Sequence, residues 1–129
     1  MKRELERDLQ ARFPRFFRDL YGDPRVTCMS RGCEFADGWY RLLERVCEEL
    51  EPVAPPEFKF VQVKEKFGRL RIYATNDSDE TSRLIRQAQE ESLNCCEQCG
   101  ATEGVTTGGS GRIRTLCRSC REETRANKG

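Results

Sequence analysis

Two Cys-x-x-Cys pairs, Cys96-Glu97-Gln98-Cys99 and Cys117-Arg118-Ser119-Cys120, stand seventeen residues apart near the end of the chain. That spacing falls in the range of structural zinc sites. Two cysteines separated by two residues on a tight knuckle turn both sulfurs towards one point, about 2.3 Å from a metal. Gly100 follows the first pair, where a knuckle needs a positive φ angle. Between the pairs, Val105-Thr106-Thr107 and residues 112–116 read as a short hairpin around Gly108-Gly109-Ser110-Gly111. The pattern predicts a zinc ribbon over 95–122, with structural Zn2+ on Cys96, Cys99, Cys117 and Cys120. Four thiolates leave no open coordination position, so such an ion braces the fold and activates no water.

The other readings of the eight cysteines are disulfides, redox pairs and reduced core thiols. The start, MKRELERDLQ, is charged and lacks the apolar stretch of a secretory signal. A cytoplasmic chain is expected, and in a reducing compartment Cys-x-x-Cys pairs bind metal more often than they cross-link. Neither pair opens a helix within a βαβ unit, as a thioredoxin-like redox site does. Cys95 competes with Cys96 for the metal and takes a supporting role, because the two-residue spacing favours Cys96. Cys28, Cys33 and Cys47 form no such pair, and Cys47 lies on an apolar helix face. The chain has no histidine, which removes the commonest general base and the usual nitrogen ligand of catalytic metals. No apolar run approaches the roughly 20 residues that span a bilayer.

Ahead of the ribbon, the periodicities predict an α+β domain over 1–94: N-terminal helices, a basic antiparallel β-hairpin and a third helix. Leu5, Leu9, Phe13, Phe16, Phe17 and Leu20 give a helical period that Pro14 interrupts. The expectation is a kink there, or an end near Arg12 with a restart at Pro14. Residues 25–36 read as an irregular connector. Asp37 is a suitable N-cap for a helix carrying Trp39, Leu42, Leu43, Val46, Cys47 and Leu50 on one face, ended by Pro52. Residues 58–63 and 69–75 have strand composition, joined by Lys64-Glu65-Lys66-Phe67-Gly68. Leu70, Ile72 and Ala74 are expected on one face, with Arg69, Arg71 and Tyr73 on the other. Asp77 to Asp79 cap a helix over about 80–93 that leads into the first knuckle. Residues 123–129 are expected to be a flexible tail.

Formal net charge is +1, so any electrostatic footprint has to be local. The hairpin concentrates Lys59, Lys64, Lys66, Arg69 and Arg71 against Glu65, with Phe67 and Tyr73 interleaved. Lys64, Lys66, Phe67, Arg69 and Arg71 are the candidate macromolecule-binding residues, with aromatics for stacking and cations for phosphates or acidic side chains. The competing reading is a solvated strand face whose charges blunt an edge. The ribbon carries Arg112, Arg114, Arg118, Arg121, Arg125 and Lys128 against Glu97, Glu103, Glu122 and Glu123, a mild surplus that a thiolate centre would cancel. No Gly-rich phosphate loop or nucleophile elbow occurs. Nothing in the spacing of Asp37, Glu65 and Asp77 requires them to act as an acid–base pair.

Several segments together resemble a known group. They are Cys28-Met29-Ser30-Arg31-Gly32-Cys33-Glu34, Asp37-Gly38-Trp39, the run Val63-Lys64-Glu65-Lys66-Phe67-Gly68-Arg69-Leu70-Arg71-Ile72-Tyr73, residues 92–99 and Thr115-Leu116-Cys117. In this order, across about 13–120, the chain is similar to small proteins of unknown function encoded by bacteriophages and prophages. Members often end in a Cys and His pair where this chain has Cys117 and Cys120, and Phe35-Ala36 stand where Cys-Gly is commoner. The resemblance implies a mobile-element origin, a bacterial cytoplasm and no established activity. The expected function is non-enzymatic binding of a host or phage macromolecule, with a protein, such as a defence component, ahead of nucleic acid. The rivals are a nucleic-acid-binding zinc ribbon and a small carboxylate-based enzyme.

Overall fold

The computed structural model describes residues 1–128, beginning with α1 (Arg3–Arg12), which buries Leu9 and Glu6. The helix ends at Arg12 because Pro14 excludes Phe13 from the α region, and Phe13 sits at φ −128°, ψ 60°. The expected restart at Pro14 does not occur. Residues 14–21 form successive turns instead, with Phe16 N–H donating to Phe13 O (3.1 Å) and Leu20 N–H to Phe17 O (3.2 Å). These turns let the sequence neighbours Phe16 and Phe17 both bury completely. They pack on Phe58 and Phe60, edge-on at 5.4 Å for Phe16–Phe58 and at 5.2 Å for Phe17–Phe60.

The stretch read as a connector holds a short strand, β1 (Cys33–Glu34). It pairs in parallel with β2 (Lys59–Lys66), Cys33 beside Val63 and Glu34 beside Lys64. Two residues are too few for alternation to show in sequence. Asp37 is not the N-cap of the next helix. It opens a 3₁₀ turn, Asp37–Trp39, and its carboxylate accepts from the backbone N–H of Lys2 at 2.7 Å. The helix proper, α2 (Tyr40–Leu50), buries Leu42, Leu43, Val46, Cys47 and Leu50, the face the periodicity predicts.

β2 runs antiparallel to β3 (Arg69–Thr75), giving a sheet of order β1-β2-β3. The strand extends through Lys66, so the connection is two residues rather than five. Phe67 (φ 55°) and Gly68 (φ 79°) are both left-handed, which is the hairpin turn whose twist matches the flanking strands. The outer edge of β3 is covered by α3 (Asp79–Glu91) and the turn after it. Gln89 accepts from Ile72 N–H and Ser92 from Leu70 N–H, both at 3.0 Å, which closes an edge open to strand addition. Ser78 and Thr81 form a reciprocal capping box at the start of α3.

A 3₁₀ turn, Ser92–Asn94, delivers the chain to the ribbon, made of β4 (Val105–Gly108), β5 (Arg114–Cys117) and α4 (Arg118–Lys128). Residues 123–128, expected as tail, belong to α4, and Gly129 lies outside the described residues. Arg121 fastens this helix to the hairpin by donating to the carbonyls of Gly108, Thr106 and Arg114, at 3.2, 2.5 and 3.1 Å. The molecule is thus α+β with a C-terminal zinc-ribbon module, and the ribbon has its own small core of Cys96, Leu116, Cys117 and Cys120. Among the described residues, no helix is long and apolar enough to cross a membrane.

Candidate metal centre and the basic hairpin face

The first knuckle is held by its backbone before any metal is considered. Cys96 N–H donates to Ala101 O (2.8 Å), Gly100 N–H to Cys96 O (2.9 Å), and Gly100 takes φ 85°. The second knuckle lies where β5 passes into α4, and Cys120 N–H donates to the Cys117 sulfur at 3.4 Å. The sulfurs of Cys96, Cys99, Cys117 and Cys120 all lie within 4.8 Å of one another. Cys99 and Cys117 approach to 3.7 Å, close to the edge of about 3.8 Å in a sulfur tetrahedron with 2.3 Å metal bonds. Three of the four cysteines are buried and Cys99 is exposed.

Electrostatics favour a cation at the centre. Burial raises the Cys96 thiol, but hydrogen bonds from the backbone of Cys117, Cys99 and Gln98 outweigh it and bring the group down to about 7. The Cys120 thiol is driven up, by burial first and then by the sulfurs of Cys117, Cys99 and Cys96. Four sulfurs this close cannot all ionise against one another without a positive charge among them. The donor set therefore fits a metal ion. Cys95 stands outside the cluster, its thiol facing the carbonyls of Gly38 (3.6 Å) and Gly100 (3.8 Å). Cys33 and Cys47 are core residues with thiols raised by burial, whereas Cys28 is exposed.

Sequence reasoning missed the part Glu97 plays. Inside the first knuckle, its side chain is 2% exposed, with Oε2 accepting from Ala36 N–H (3.2 Å) and Oε1 lying 3.7 Å from Arg114 Nε. Its backbone N–H donates to Thr115 O (3.0 Å), and its carbonyl accepts from Gly38 N–H (2.7 Å). Next to it, Trp39 Nε1 donates to Cys95 O at 2.9 Å. The knuckle that supplies two of the four candidate metal ligands is thus also the joint between ribbon and domain. A second joint runs from the Thr115 hydroxyl to Gly68 O at the hairpin turn.

The hairpin residues fall together by register, Lys64 opposite Arg71 and Lys66 opposite Arg69, with Gln62 opposite Tyr73 on the same face. Arg69 is drawn aside to Glu90 of α3 (2.5 Å). Among the described residues, Lys64, Lys66 and Arg71 have no carboxylate within ion-pair distance. Phe67 at the tip is 69% exposed and Tyr73 45% exposed. Phe67 holds φ 55°, a conformation most side chains avoid, while presenting its ring to solvent beside the Lys66 ammonium. Glu65 points the other way, accepting from Gly68 N–H (2.7 Å) and lying 3.5 Å from Arg112 of the ribbon.

Comparison with family models, curated proteins and solved structures finds no match for this chain.

Proposed function

We propose that the protein is a non-enzymatic accessory protein of phage or prophage origin that binds a host or phage macromolecule through the open face of its hairpin. Zinc is the occupant of the four-cysteine centre in this reading: soft thiolates at tetrahedral spacing suit it, and with four ligands it serves as a brace. The observation that carries the proposal is the face itself. Lys64, Lys66 and Arg71 lie together without carboxylate partners among the described residues, rimmed by the exposed rings of Phe67 and Tyr73. An exposed aromatic in a strained backbone position adds nothing to folding, so a contact role accounts for it best. An acidic protein surface, in a host defence component for example, is the first partner class. Nucleic acid is the second, supported by the interleaving of rings and cations.

The test is retention of partners from a bacterial extract, with and without nuclease, by the full chain and by a Lys64→Ala/Lys66→Ala/Arg71→Ala variant. These side chains are held by no ion pair among the described residues, so each substitution is expected to cost no more than about 0.5 kcal/mol and the variant no more than about 1.5 kcal/mol of stability. It should retain at least ten-fold less partner. Equal retention by both proteins would end the proposal. Loss of the partner on nuclease treatment would move the assignment to nucleic acid, with a steep salt dependence to match.

A further inference from the structure

A different surface, on the ribbon, bears a second site. The charge tally of the ribbon is nearly balanced in sequence, but the fold separates the signs. Arg112, Arg114, Arg121 and Arg125 line one concave space of about 260 Å³, together with Gly108, Gly109, Ser110, Leu116 and Thr124, and among the described residues no side-chain carboxylate lines it. The acids that touch these arginines reach two of them from outside the pocket lining: Glu97 meets Arg114 Nε at 3.7 Å, and Glu65 meets Arg112 at 3.5 Å.

The Arg121 guanidinium is held rather than free. Arg121 donates to three backbone carbonyls, yet its buried Nε has no partner. Its position is fixed by the hairpin and does not depend on an acid. Arg125 makes no ion pair among the described residues, one turn of helix further on from Arg121. Two of the four guanidinium groups, Arg121 and Arg125, have no acid among the described residues, and such like charges around one hollow favour an anion there. Planar guanidinium groups beside a Gly-Gly-Ser turn match the oxygens of a phosphate. Arg112 also lines the neighbouring cleft that contains Lys66, Phe67 and Ile113, so a ring at the hairpin tip stands next to the anion pocket.

We propose that this pocket binds the phosphate group of a nucleotide, with Arg112, Arg114, Arg121 and Arg125 as its ligands. A base attached to that phosphate has Phe67 within the adjoining cleft as a stacking partner. The four arginine ligands lie outside the hairpin face, with which the site shares only Phe67, and they form a phosphate pocket whether or not that face binds a protein.

The experiment is an NMR titration of the zinc-loaded full chain, at fixed low ionic strength, with inorganic phosphate, thymidine 5′-monophosphate and a thymidylate octamer. The arginine Nε–Hε signals and the amides of residues 108–112 are expected to shift together, saturably, with the two nucleotide probes. Tighter binding of the monophosphate would identify a free nucleotide as the source, and tighter binding of the octamer a nucleic-acid strand; either supports the site. Arg125→Glu should weaken binding at least ten-fold with unchanged metal content and circular dichroism. Arg118→Glu makes the same charge change on the same helix outside the pocket and should alter binding less than two-fold. Equal losses in the two variants would mean general electrostatics and overturn the proposal. Binding of inorganic phosphate alone, of a phosphoserine peptide in place of both nucleotides, or shifts confined to the hairpin would overturn it too.

Discussion

Gly38→Ala puts the joint between the ribbon and the domain under direct test. Gly38 does not need a positive φ; its requirement is space. A Cβ built there falls onto the carbonyl oxygens of Cys96 and Glu97, backbone atoms of the metal knuckle that cannot swing aside. Relief requires the knuckle to move away from the 3₁₀ turn, which lengthens the 2.7 Å hydrogen bond from Gly38 N–H to Glu97 O. Overpacking against backbone costs about 1–3 kcal/mol. The lost hydrogen bond adds about 0.5–1.5 kcal/mol. The expected destabilisation is about 2–4 kcal/mol, or roughly 8–16 °C in Tm at about 4 °C per kcal/mol for a chain of this size. Because the same carbonyls belong to the knuckle, a chromogenic chelator should also strip metal from the variant faster. Gly108→Ala is the control: nothing lies within 4 Å of its added Cβ, and its Tm should hold within about 2 °C. A Gly38→Ala protein that melts within 2 °C of wild type, with unchanged chelation kinetics, would refute the reasoning.

Two further outcomes follow from the same joint. Cys99→Ser or Cys117→Ser, or removal of the metal by a chelator, should unfold the ribbon, because metal binding and folding are coupled there. Limited proteolysis would then cut within 95–120, and unchanged resistance of that segment would contradict a structural metal. Glu97→Ala should cost about 2–4 kcal/mol, since it strands the part-buried Ala36 N–H and leaves Arg114 without its acid. Glu97→Gln keeps an acceptor for Ala36 and should cost less, a ranking that thermal melts can check.

What the sequence determined by itself was whatever local pattern or ligand spacing encodes. The apolar stripe of α2, the polar cap within residues 77–79, the alternation of β3 and the convergence of the four sulfurs all depend on neighbours a few residues away or on fixed knuckle geometry. Where the local signal was ambiguous, tertiary packing decided. Phe16 and Phe17 form turns because both must enter one aromatic cluster, and β1 exists only because β2 lies beside it. Arg71 and Tyr73 were legible as one face from alternation, but the pairing of Lys64 with Arg71 and the diversion of Arg69 to Glu90 were not, because β2 had first to extend through Lys66 and α3 to be laid along β3. Glu97 looked like an ordinary surface acid between two cysteines, and only the docking of the knuckle onto Gly38 and Ala36 buries it. The arginine pocket is the extreme case: its members lie on a turn, a strand and a helix, and a linear count of charges cancels what the fold sorts into separate surfaces. Periodicity is a property of the chain, whereas burial and charge separation are properties of surfaces brought together from distant parts of it.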